Sequence, residues 1–276
     1  MVRNTTLTMP KGEMGFVTPY VWMFISSYEK LREFILTNTT ITSLIQLEYN
    51  AFAPACIPVS TFTLKNVSDS DFKGGYVRLS DFKGSENQSP RTLEAISNPD
   101  CGWFHRACTS DFKKIPSSPI AYWLSEKFIS IFEDGTPLVD MASRITKGIF
   151  TGDNNRFLRF WFEVSNSDSG WKLYSKGGAR RKWFGNVEHV VDWRQNGFSL
   201  SNFSGAGLGA MKFYGSEHFS WSGLTSGDVS FRYENSNIWF DDVSPSIILK
   251  STNYSLLGLL NSKIVQSQLD VLNPTL

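Results

Sequence analysis

Hydrophobic residues in the first quarter of the chain form short runs around one amphipathic stretch. Met14–Pro19, Ile41–Tyr49 and Val59–Lys65 are short and rich in apolar or β-branched residues, which predicts three strands. A helix is expected between the first two strands. The loop 50–58 between the last two holds one aromatic residue, three alanines and two prolines. This order of strand, helix, strand, loop and strand is typical of the closing part of an α/β sheet.

The helix is predicted over Trp22–Thr37, because large apolar residues recur there at helical spacing. The residues expected to face inward are Phe24, Tyr28, Leu31 and Ile35. The residues expected on the opposite, solvated side are Glu29, Lys30, Arg32 and Glu33.

Gly, Ser, Asp and Pro are frequent in the middle of the chain. One strand is predicted at Gly75–Leu79 and one short helix at Thr92–Ile96. We therefore expect an α/β domain over residues 1–80, a connector over 81–118 and a second domain over 119–276.

The second domain is predicted to be rich in strands and loops. Ser118 before Pro119 resembles an N-cap followed by proline at the first helical position, so a helix is expected from there to Glu133. A closing helix is predicted over Tyr254–Leu272. The predicted strands between them are Phe157–Val164, Trp171–Tyr174, Val187–Trp193, Val229–Tyr233, Ile238–Phe240 and Ile247–Leu249. The fold class is therefore α/β followed by α+β.

Composition narrows the class of protein. Hydrophobic residues make up 41% of the chain, enough for a core, and the net charge of +1 excludes a uniformly basic nucleic-acid coat. The three cysteines are odd in number and lack CxxC spacing, which argues against a disulfide framework or a zinc site. The three histidines are isolated, so no metal site is expected. The sequence shows no membrane span or signal peptide, and we expect a cytoplasmic protein.

Positive charge is concentrated in the second domain. Between Arg144 and Arg194 there are ten basic and five acidic residues, and the densest run is Lys176–Asn186 (KGGARRKWFGN). Its cations suit phosphate oxygens, and its glycines allow close backbone approach. The alternative is a solvated, glycine-rich hairpin, because short basic runs are common. The residues predicted to contact DNA are Lys147, Asn154, Arg156, Lys176, Arg180, Arg181, Lys182, Trp183 and Asn186.

Two polar turns are weaker candidates. Thr151–Phe157 could present Asn154 or Arg156 to a nucleic-acid groove, although the residues by themselves favour a turn held by Asx hydrogen bonds. Asn98–Cys101 begins like the Asn-Pro-Pro-Tyr tetrapeptide of amino-methyltransferases but lacks its second proline and its aromatic residue. We interpret Asn98–Cys101 as a connector turn.

Several segments, in order, resemble the large adenine-specific DNA methyltransferases of BREX phage defence (PglX-type) and of fused restriction–modification systems. Those similar to the end of the catalytic domain are Gly15–Phe24, Ser27–Arg32, Glu48–Phe52 and Val59–Asn66. Those similar to the target-recognition part are Thr151–Phe157, Lys176–Asn186, Phe219–Leu224, Phe231–Tyr233 and Leu256–Lys263. The resemblance implies the terminal part of a Rossmann-like methyltransferase sheet, residues 1–80, joined to a β-rich target-recognition domain, residues 119–276.

The resemblance also implies what this chain lacks. In the family, the S-adenosylmethionine loop and the Asn-Pro-Pro-Tyr tetrapeptide precede the strand at which this sequence starts, and neither is present here. We therefore expect an incomplete chain, truncated at both ends, with no catalytic residue and no bound S-adenosylmethionine. The expected partners are double-stranded DNA and a chain that carries the missing catalytic half. Phe52 occupies the position of the family's aromatic residue that packs against the flipped adenine, although it could merely plug the end of the sheet.

Two other functions are weighed. The chain could be a non-catalytic DNA-binding specificity subunit that works with a separate methyltransferase chain. Its Trp, Asn and Gly content also prompts a carbohydrate-binding β module, but that class predicts a secretion signal and no α/β segment at the start.

Overall fold

The computed structural model describes residues 1–52, 57–165, 168–225, 227–251 and 253–272. The chain divides into two compact units, Met1–Gly135 and Thr136–Asp270, and Val271 belongs with the first. The predicted connector over 81–118 lies inside the first unit, and the division falls after Gly135 instead of at residue 119.

The first unit combines one sheet with several helices. Short 3-10 helices lie at Tyr20–Met23 and Ser26–Tyr28. The other elements are α1 (Val2–Leu7), β1 (Glu13–Pro19), α2 (Glu29–Asn38), β2 (Thr40–Gln46), β3 (Val59–Lys65), β4 (Lys73–Arg78), α3 (Ser85–Ser97), β5 (Phe104–Cys108), α4 (Thr109–Lys113) and α5 (Glu126–Asp134).

The five strands of this sheet are ordered β1-β3-β2-β4-β5. β3 runs antiparallel to both of its neighbours, with Phe62 opposite Phe16 on β1 and opposite Leu44 on β2. β2 and β4 are parallel, and β5 is antiparallel to β4. The predicted strands and the α/β character of this region are therefore present in a mixed sheet.

The predicted helix over Trp22–Thr37 was wrong in its first half. Trp22, Met23 and Phe24 are buried in the core, and the chain passes them in 3-10 turns with an extended residue at Ile25 before α2 begins at Glu29. Arg32 was expected on the solvated face, but it is fully buried. Core packing therefore overrides the helical periodicity of this segment.

Residues 85–135 also differ from the expectation. β5 and α4 were not predicted, and α3 is longer than the predicted Thr92–Ile96. The helix expected from Ser118 begins only at Glu126, where the hydroxyl of Ser125 caps it. The residues before it are irregular because Ile120, Ala121 and Tyr122 are buried in the first unit.

The second unit contains short strands, short helices and long loops. Two 3-10 helices lie at Trp161–Glu163 and Met211–Phe213. The other elements are α6 (Leu138–Met141), β6 (Ala142–Thr146), α7 (Asn154–Phe157), β7 (Leu158–Phe160), β8 (Trp171–Ser175), β9 (His189–Asp192), α8 (Arg194–Ser201), β10 (His218–Trp221), β11 (Phe231–Glu234), β12 (Ile238–Phe240), β13 (Ser246–Leu249), α9 (Tyr254–Leu260) and α10 (Lys263–Leu272).

These strands form two four-stranded sheets. One has the order β11-β10-β13-β6 and is antiparallel throughout. The other has the order β12-β8-β9-β7, in which the β12–β8 pair is parallel. Each sheet has its own cluster of buried apolar side chains, around Phe219 and Ile247 in the first and around Phe157 and Val191 in the second.

Three sequence expectations for this unit require correction. β6 and β10 were not predicted, and the strand expected over Phe157–Val164 is reduced to Leu158–Phe160. The closing helix is broken at Asn261, whose side chain hydrogen-bonds both the backbone N–H and the carbonyl of Phe231. These two hydrogen bonds attach the Asn261 side chain to β11 and so fix the position of the chain where α9 ends.

The helices described in the structure are all too short or too polar to cross a lipid bilayer.

Candidate nucleic-acid interface

The basic run predicted from the sequence forms the loop between two antiparallel strands. We call residues Lys176–Asn186 the basic loop; it follows β8 and leads to β9. Trp183 anchors it to β11, because its N–H donates to the carbonyl of Phe231 at 3.0 Å and its carbonyl accepts from Tyr233 at 2.9 Å. The loop is therefore attached to a strand of the other sheet and has a defined path.

The ends of the basic loop are closed by Asn186. Its backbone carbonyl accepts from Lys176 N–H at 3.0 Å, and its side-chain amide donates to the carbonyl of Ala179 at 3.0 Å. Asn186 itself is only 5% exposed and has a positive φ of 61°. It was predicted to contact DNA, but its position is that of a residue that shapes the loop from inside.

The three consecutive cations of the loop are exposed, and each makes one weak interaction within the protein. Arg180 pairs with Asp228 at 2.6 Å, Arg181 pairs with Glu188 at 3.4 Å, and Lys182 donates to the carbonyl of Asn261 at 2.9 Å. Ion pairs at such exposure contribute about 0–1 kcal/mol each. The cations can therefore exchange these partners for phosphate oxygens at little cost.

Two aromatic side chains stand beside these cations. Trp183 is 53% exposed and Phe184 is 64% exposed. Large aromatic groups that remain this accessible can stack on bases or sugars. The alternative, a solvated hairpin that binds nothing, accounts for the charged residues. It does not account for two large aromatic rings that remain exposed to solvent.

The turn predicted at Thr151–Phe157 contains a single helical turn, α7. The carboxylate of Asp153 caps it by accepting from Arg156 N–H at 3.1 Å. The hydroxyl of Thr151 donates to Asn154 Oδ1 at 2.6 Å. Arg156 is exposed, with its guanidinium 5.0 Å from the Phe157 ring centroid. The Asx-type hydrogen bond is thus present, and the two predicted residues still face solvent.

A cleft of about 550 Å³ brings two of the predicted residues together. Asn154 and Lys176 both line it, along with Phe160 and His189. Lys147 lies elsewhere in the second unit, after the end of β6, and is exposed.

A buried polar network in the second unit was not predicted from the sequence. His218 Nε2 and Glu234 Oε2 are 2.9 Å apart and fully buried. The hydroxyls of Ser175 and Ser220 both donate to the other carboxylate oxygen of Glu234. The signal in the sequence was the i, i+2 spacing of His218 with Ser220, which places both side chains on one face of β10.

Arg232 is also fully buried beside this network. Its Nη2 donates to the hydroxyl of Ser244 at 3.0 Å, and its Nε lies 3.9 Å from Glu234 Oε1. Burial lowers the pKa of Arg232, and burial also raises the pKa of Asp241 nearby to about 7. These groups join β8, β10 and β11, so we assign them to the internal support of the sheets that carry the basic loop.

In the first unit, Phe52 lies beyond the end of β2 and is 50% exposed. The turn before it is held by Glu48, whose carboxylate accepts from Asn50 N–H at 2.9 Å. The rest of the loop that contains Phe52 lies partly outside the described residues, as does Cys56.

The other residues considered for catalysis or metal binding either form a turn or do not belong to a group that could hold a metal ion. Asn98–Cys101 forms a turn after α3, with Asp100 N–H donating to Asn98 Oδ1 at 3.3 Å. Cys101 and Cys108 are free thiols. Within the ranges that the structure describes, no group of three or more His, Cys, Asp or Glu residues is arranged to hold a metal ion.

Known proteins match the chain along its whole length. Residues 1–52 match the family of the Eco57I restriction-modification methylase. The chain is 30% identical over 301 residues to the adenine-specific methyltransferase PglX of Lacticaseibacillus casei (strain Zhang), covering 100% of this chain and 25% of that protein. It is 31% identical to the adenine-specific methyltransferase BrxX of Escherichia coli O9:H4 (strain HS), covering 96% of this chain and 23% of that protein.

The resemblance to PglX-type adenine-specific methyltransferases is confirmed. The chain spans about a quarter of the length of these PglX-type relatives. Its fold is also similar to part of the Type IIL restriction-modification enzyme MmeI, whose structure is of a complex with DNA: the TM-score is 0.50 at 11% identity, over 92% of this chain and 35% of that one. At that identity the likeness shows a shared fold alone.

Similarity to methyltransferases of the PglX type implies the use of S-adenosylmethionine in the family, but two loops of the first unit, after β1 and after β4, offer no open glycine for it. β1 leads directly from Pro19 into a 3-10 turn without a glycine. The loop between β4 and α3 has a single glycine, Gly84, and the carboxylate of Glu86 fills the space beside it, since a Cβ on Gly84 would lie 2.3 Å from Glu86 Oε1.

Proposed function

We propose that this chain is a DNA-contacting part of an N6-adenine DNA methyltransferase of the PglX type, in which the second unit recognises double-stranded DNA. The observation that carries the proposal is the basic loop. It presents Arg180, Arg181, Lys182 and Trp183 to solvent from a backbone that is bonded at both ends and in the middle.

The chemistry of the loop suits a phosphate backbone. Because the net charge of the chain is only +1, DNA affinity must come from a local cluster of cations. Arg180 and Arg181 can each give two parallel hydrogen bonds to a phosphate, and Lys182 acts as a point charge. Asn186 supports the loop from inside.

A second set of contacts comes from the residues around α7. Asn154 and Arg156 project from that turn, and Lys176 shares a cleft with Asn154. Arginine and asparagine can pair with base edges in the major groove, so these residues are the better candidates for reading sequence. Lys147 is exposed and is assigned to phosphate contact only.

We assign the first unit to the terminal part of a Rossmann-like catalytic sheet. Among the described strands, β1 pairs only with β3, and its Val17 is 67% exposed. An open edge with an exposed apolar residue is a surface on which another strand can pair. Phe52, half-exposed beyond β2, is assigned to stacking against an extruded adenine.

We propose that the methyl donor is bound by another stretch of chain. The loops that follow β1 and β4 offer no open glycine for S-adenosylmethionine, and the sequence holds no Asn-Pro-Pro-Tyr tetrapeptide. The same observation supports the second candidate, a DNA-binding specificity subunit that acts with a separate methyltransferase chain. The two candidates differ in whether methyl transfer appears when a catalytic half is supplied.

The proposal is tested by titrating a fluorescein-labelled duplex with the purified chain and following its anisotropy at 50 and 200 mM salt. We expect binding that weakens steeply at the higher salt, because phosphate contacts release condensed counterions. An absence of binding at 50 mM salt would contradict the proposed function.

A further inference from the structure

The cleft in the second unit has features that phosphate binding alone does not explain. Its volume of about 550 Å³ falls within the usual range for small-ligand pockets. It lies between α7, the strand β7 and the first residue of the basic loop, Lys176. The cleft is therefore continuous with the surface to which we assign DNA contact.

One wall of the cleft is aromatic. The rings of Phe160 and His189 both line it, with centroids 4.8 Å apart and planes inclined by 31°. Phe160 also stacks on Phe162, with centroids 5.3 Å apart and planes inclined by only 4°. Phe160 is 43% exposed and Phe162 is 65% exposed. The stack therefore keeps open aromatic surface at the cleft and beside it.

The aromatic wall is held in place by the 3-10 turn that follows β7. Phe160 N–H donates to the Glu163 carboxylate at 2.7 Å. Trp161 packs edge-on against Phe162 at 5.7 Å, and it is itself 54% exposed. Three consecutive exposed aromatic residues on a capped turn form an unusual surface for a soluble domain, because burying such rings would ordinarily stabilise the fold.

His189 adds a second ring that is neutral at neutral pH. Burial, together with the charge of Lys176, lowers the pKa of His189 below its ordinary value. Its Nδ1 is buried and has no hydrogen-bond partner among the described residues. An uncharged imidazole packed on Phe160 behaves as part of the apolar stacking surface.

The other wall of the cleft is polar and of mixed charge. Asn154 and Asn155 supply amide donors and acceptors, Arg159 and Lys176 supply cations, and Glu163 supplies a carboxylate. The carboxylate would repel a phosphate, whereas it can accept a hydrogen bond from an exocyclic amine. A planar base with an amine and ring nitrogens, still attached to its phosphate, fits this combination, because the two cations suit the phosphate and the carboxylate and amides suit the edge of the base.

We propose that this cleft accepts one unstacked nucleobase of the bound DNA, with Phe160 as the stacking ring and Asn154 and Asn155 on the hydrogen-bonding edge. This inference rests on the proposed DNA contact of the second unit, and it adds a base-specific pocket distinct from the role assigned to Phe52 in the first unit. Taking a base out of the duplex has a cost, and stacking on an aromatic ring offsets it.

The test compares a continuous duplex with one that carries a single unpaired 2-aminopurine, an adenine analogue whose fluorescence is quenched by stacking. We expect the whole chain to bind the bulged duplex about tenfold more tightly, which corresponds to about 1.4 kcal/mol. Binding should also quench the 2-aminopurine. Phe160→Leu should remove the preference and the quenching, so that the variant binds the two duplexes with equal affinity.

Phe198→Leu is the matched control, because Phe198 is an exposed phenylalanine of the same unit that is not among the residues lining the cleft. It should retain both the preference and the quenching. If the wild-type chain binds both duplexes equally and leaves the 2-aminopurine bright, the base pocket is refuted while the proposed DNA contact stands. If the chain binds neither duplex, both proposals fail.

Discussion

The guanidinium of Arg32 donates two hydrogen bonds to the carbonyl oxygen of Ser117, from Nε at 3.0 Å and from Nη2 at 2.8 Å. Its Nη1 donates to the carbonyls of Trp22 and Ile25, at 2.9 and 2.8 Å. The side chain is fully buried, and these four hydrogen bonds all go to the main chain. The Arg32 side chain therefore links the 3-10 turns before α2 to the irregular segment after α4 through hydrogen bonds.

Replacing Arg32 by methionine should destabilise the first unit by about 2–4 kcal/mol, because buried carbonyls lose charge-assisted hydrogen bonds while the apolar stem is kept. The measurement is urea-induced unfolding of the whole chain, followed by tryptophan fluorescence. Arg106→Met is the control, since Arg106 is an exposed arginine of the same unit. Equal midpoints for the two variants would show that Arg32 does not fasten these segments.

Arg32 also shows what sequence reasoning can and cannot predict. Strands such as Val59–Lys65 and Ile238–Phe240 were predicted at the positions where they occur, because alternation and β-branching report directly on a strand. The burial of Arg32 depends in part on the main-chain carbonyl of Ser117, 85 residues away in sequence, and no local pattern encodes that contact.

The same distinction applies to the candidate site. The basic loop was visible as a cluster of charge, and its exposure agrees with that interpretation. The burial of Asn186 and the aromatic wall around Phe160 were not predicted, because they depend on how β8, β9 and the 3-10 turn after β7 come together. His218 looked isolated along the sequence, because its partner Glu234 lies opposite it on the neighbouring strand of the same sheet.

The buried carboxyl of Asp241 should make stability depend on pH. Burial raises its pKa from an ordinary 3.8 to about 7, so the folded state binds a proton more tightly than the unfolded state does. The resulting stabilisation is complete below about pH 4 and is lost as pH rises through about 7, by up to about 1.4 kcal/mol per pH unit.

Asp241→Asn should remove this dependence, because asparagine can still accept from the Ser244 N–H but does not titrate. The measurement is urea unfolding of both proteins at intervals between pH 4 and pH 8. We expect the stability of the wild type relative to the variant to fall between about pH 4 and about pH 7 and then to level off. A constant difference between the two would mean that Asp241 keeps an ordinary pKa.

The isolated chain should transfer no methyl group. The loops after β1 and β4 offer no open glycine for S-adenosylmethionine, and the sequence lacks the tetrapeptide that would hold the adenine amine. Incubation with tritiated S-adenosylmethionine and duplex DNA should leave the DNA unlabelled at any chain concentration. Labelled N6-methyladenine in the digested DNA would overturn our assignment of catalysis to another stretch of chain.

The central claim is that exposed cations of the basic loop hold the phosphate backbone of duplex DNA. It is tested most directly by the dependence of the dissociation constant on salt, in the wild type and in a variant with Arg180, Arg181 and Lys182 all changed to alanine. Each phosphate contact contributes about 0.9 to the slope of log affinity against log salt, so the variant should lose about 2–3 from that slope.

The control changes Lys212, Lys250 and Lys263 to alanine, which removes the same charge from exposed positions of the second unit outside the basic loop. We predict weaker binding and a shallower salt slope in the basic-loop variant, with both kept close to the wild-type values in the control. Equal slopes in all three proteins would contradict the account.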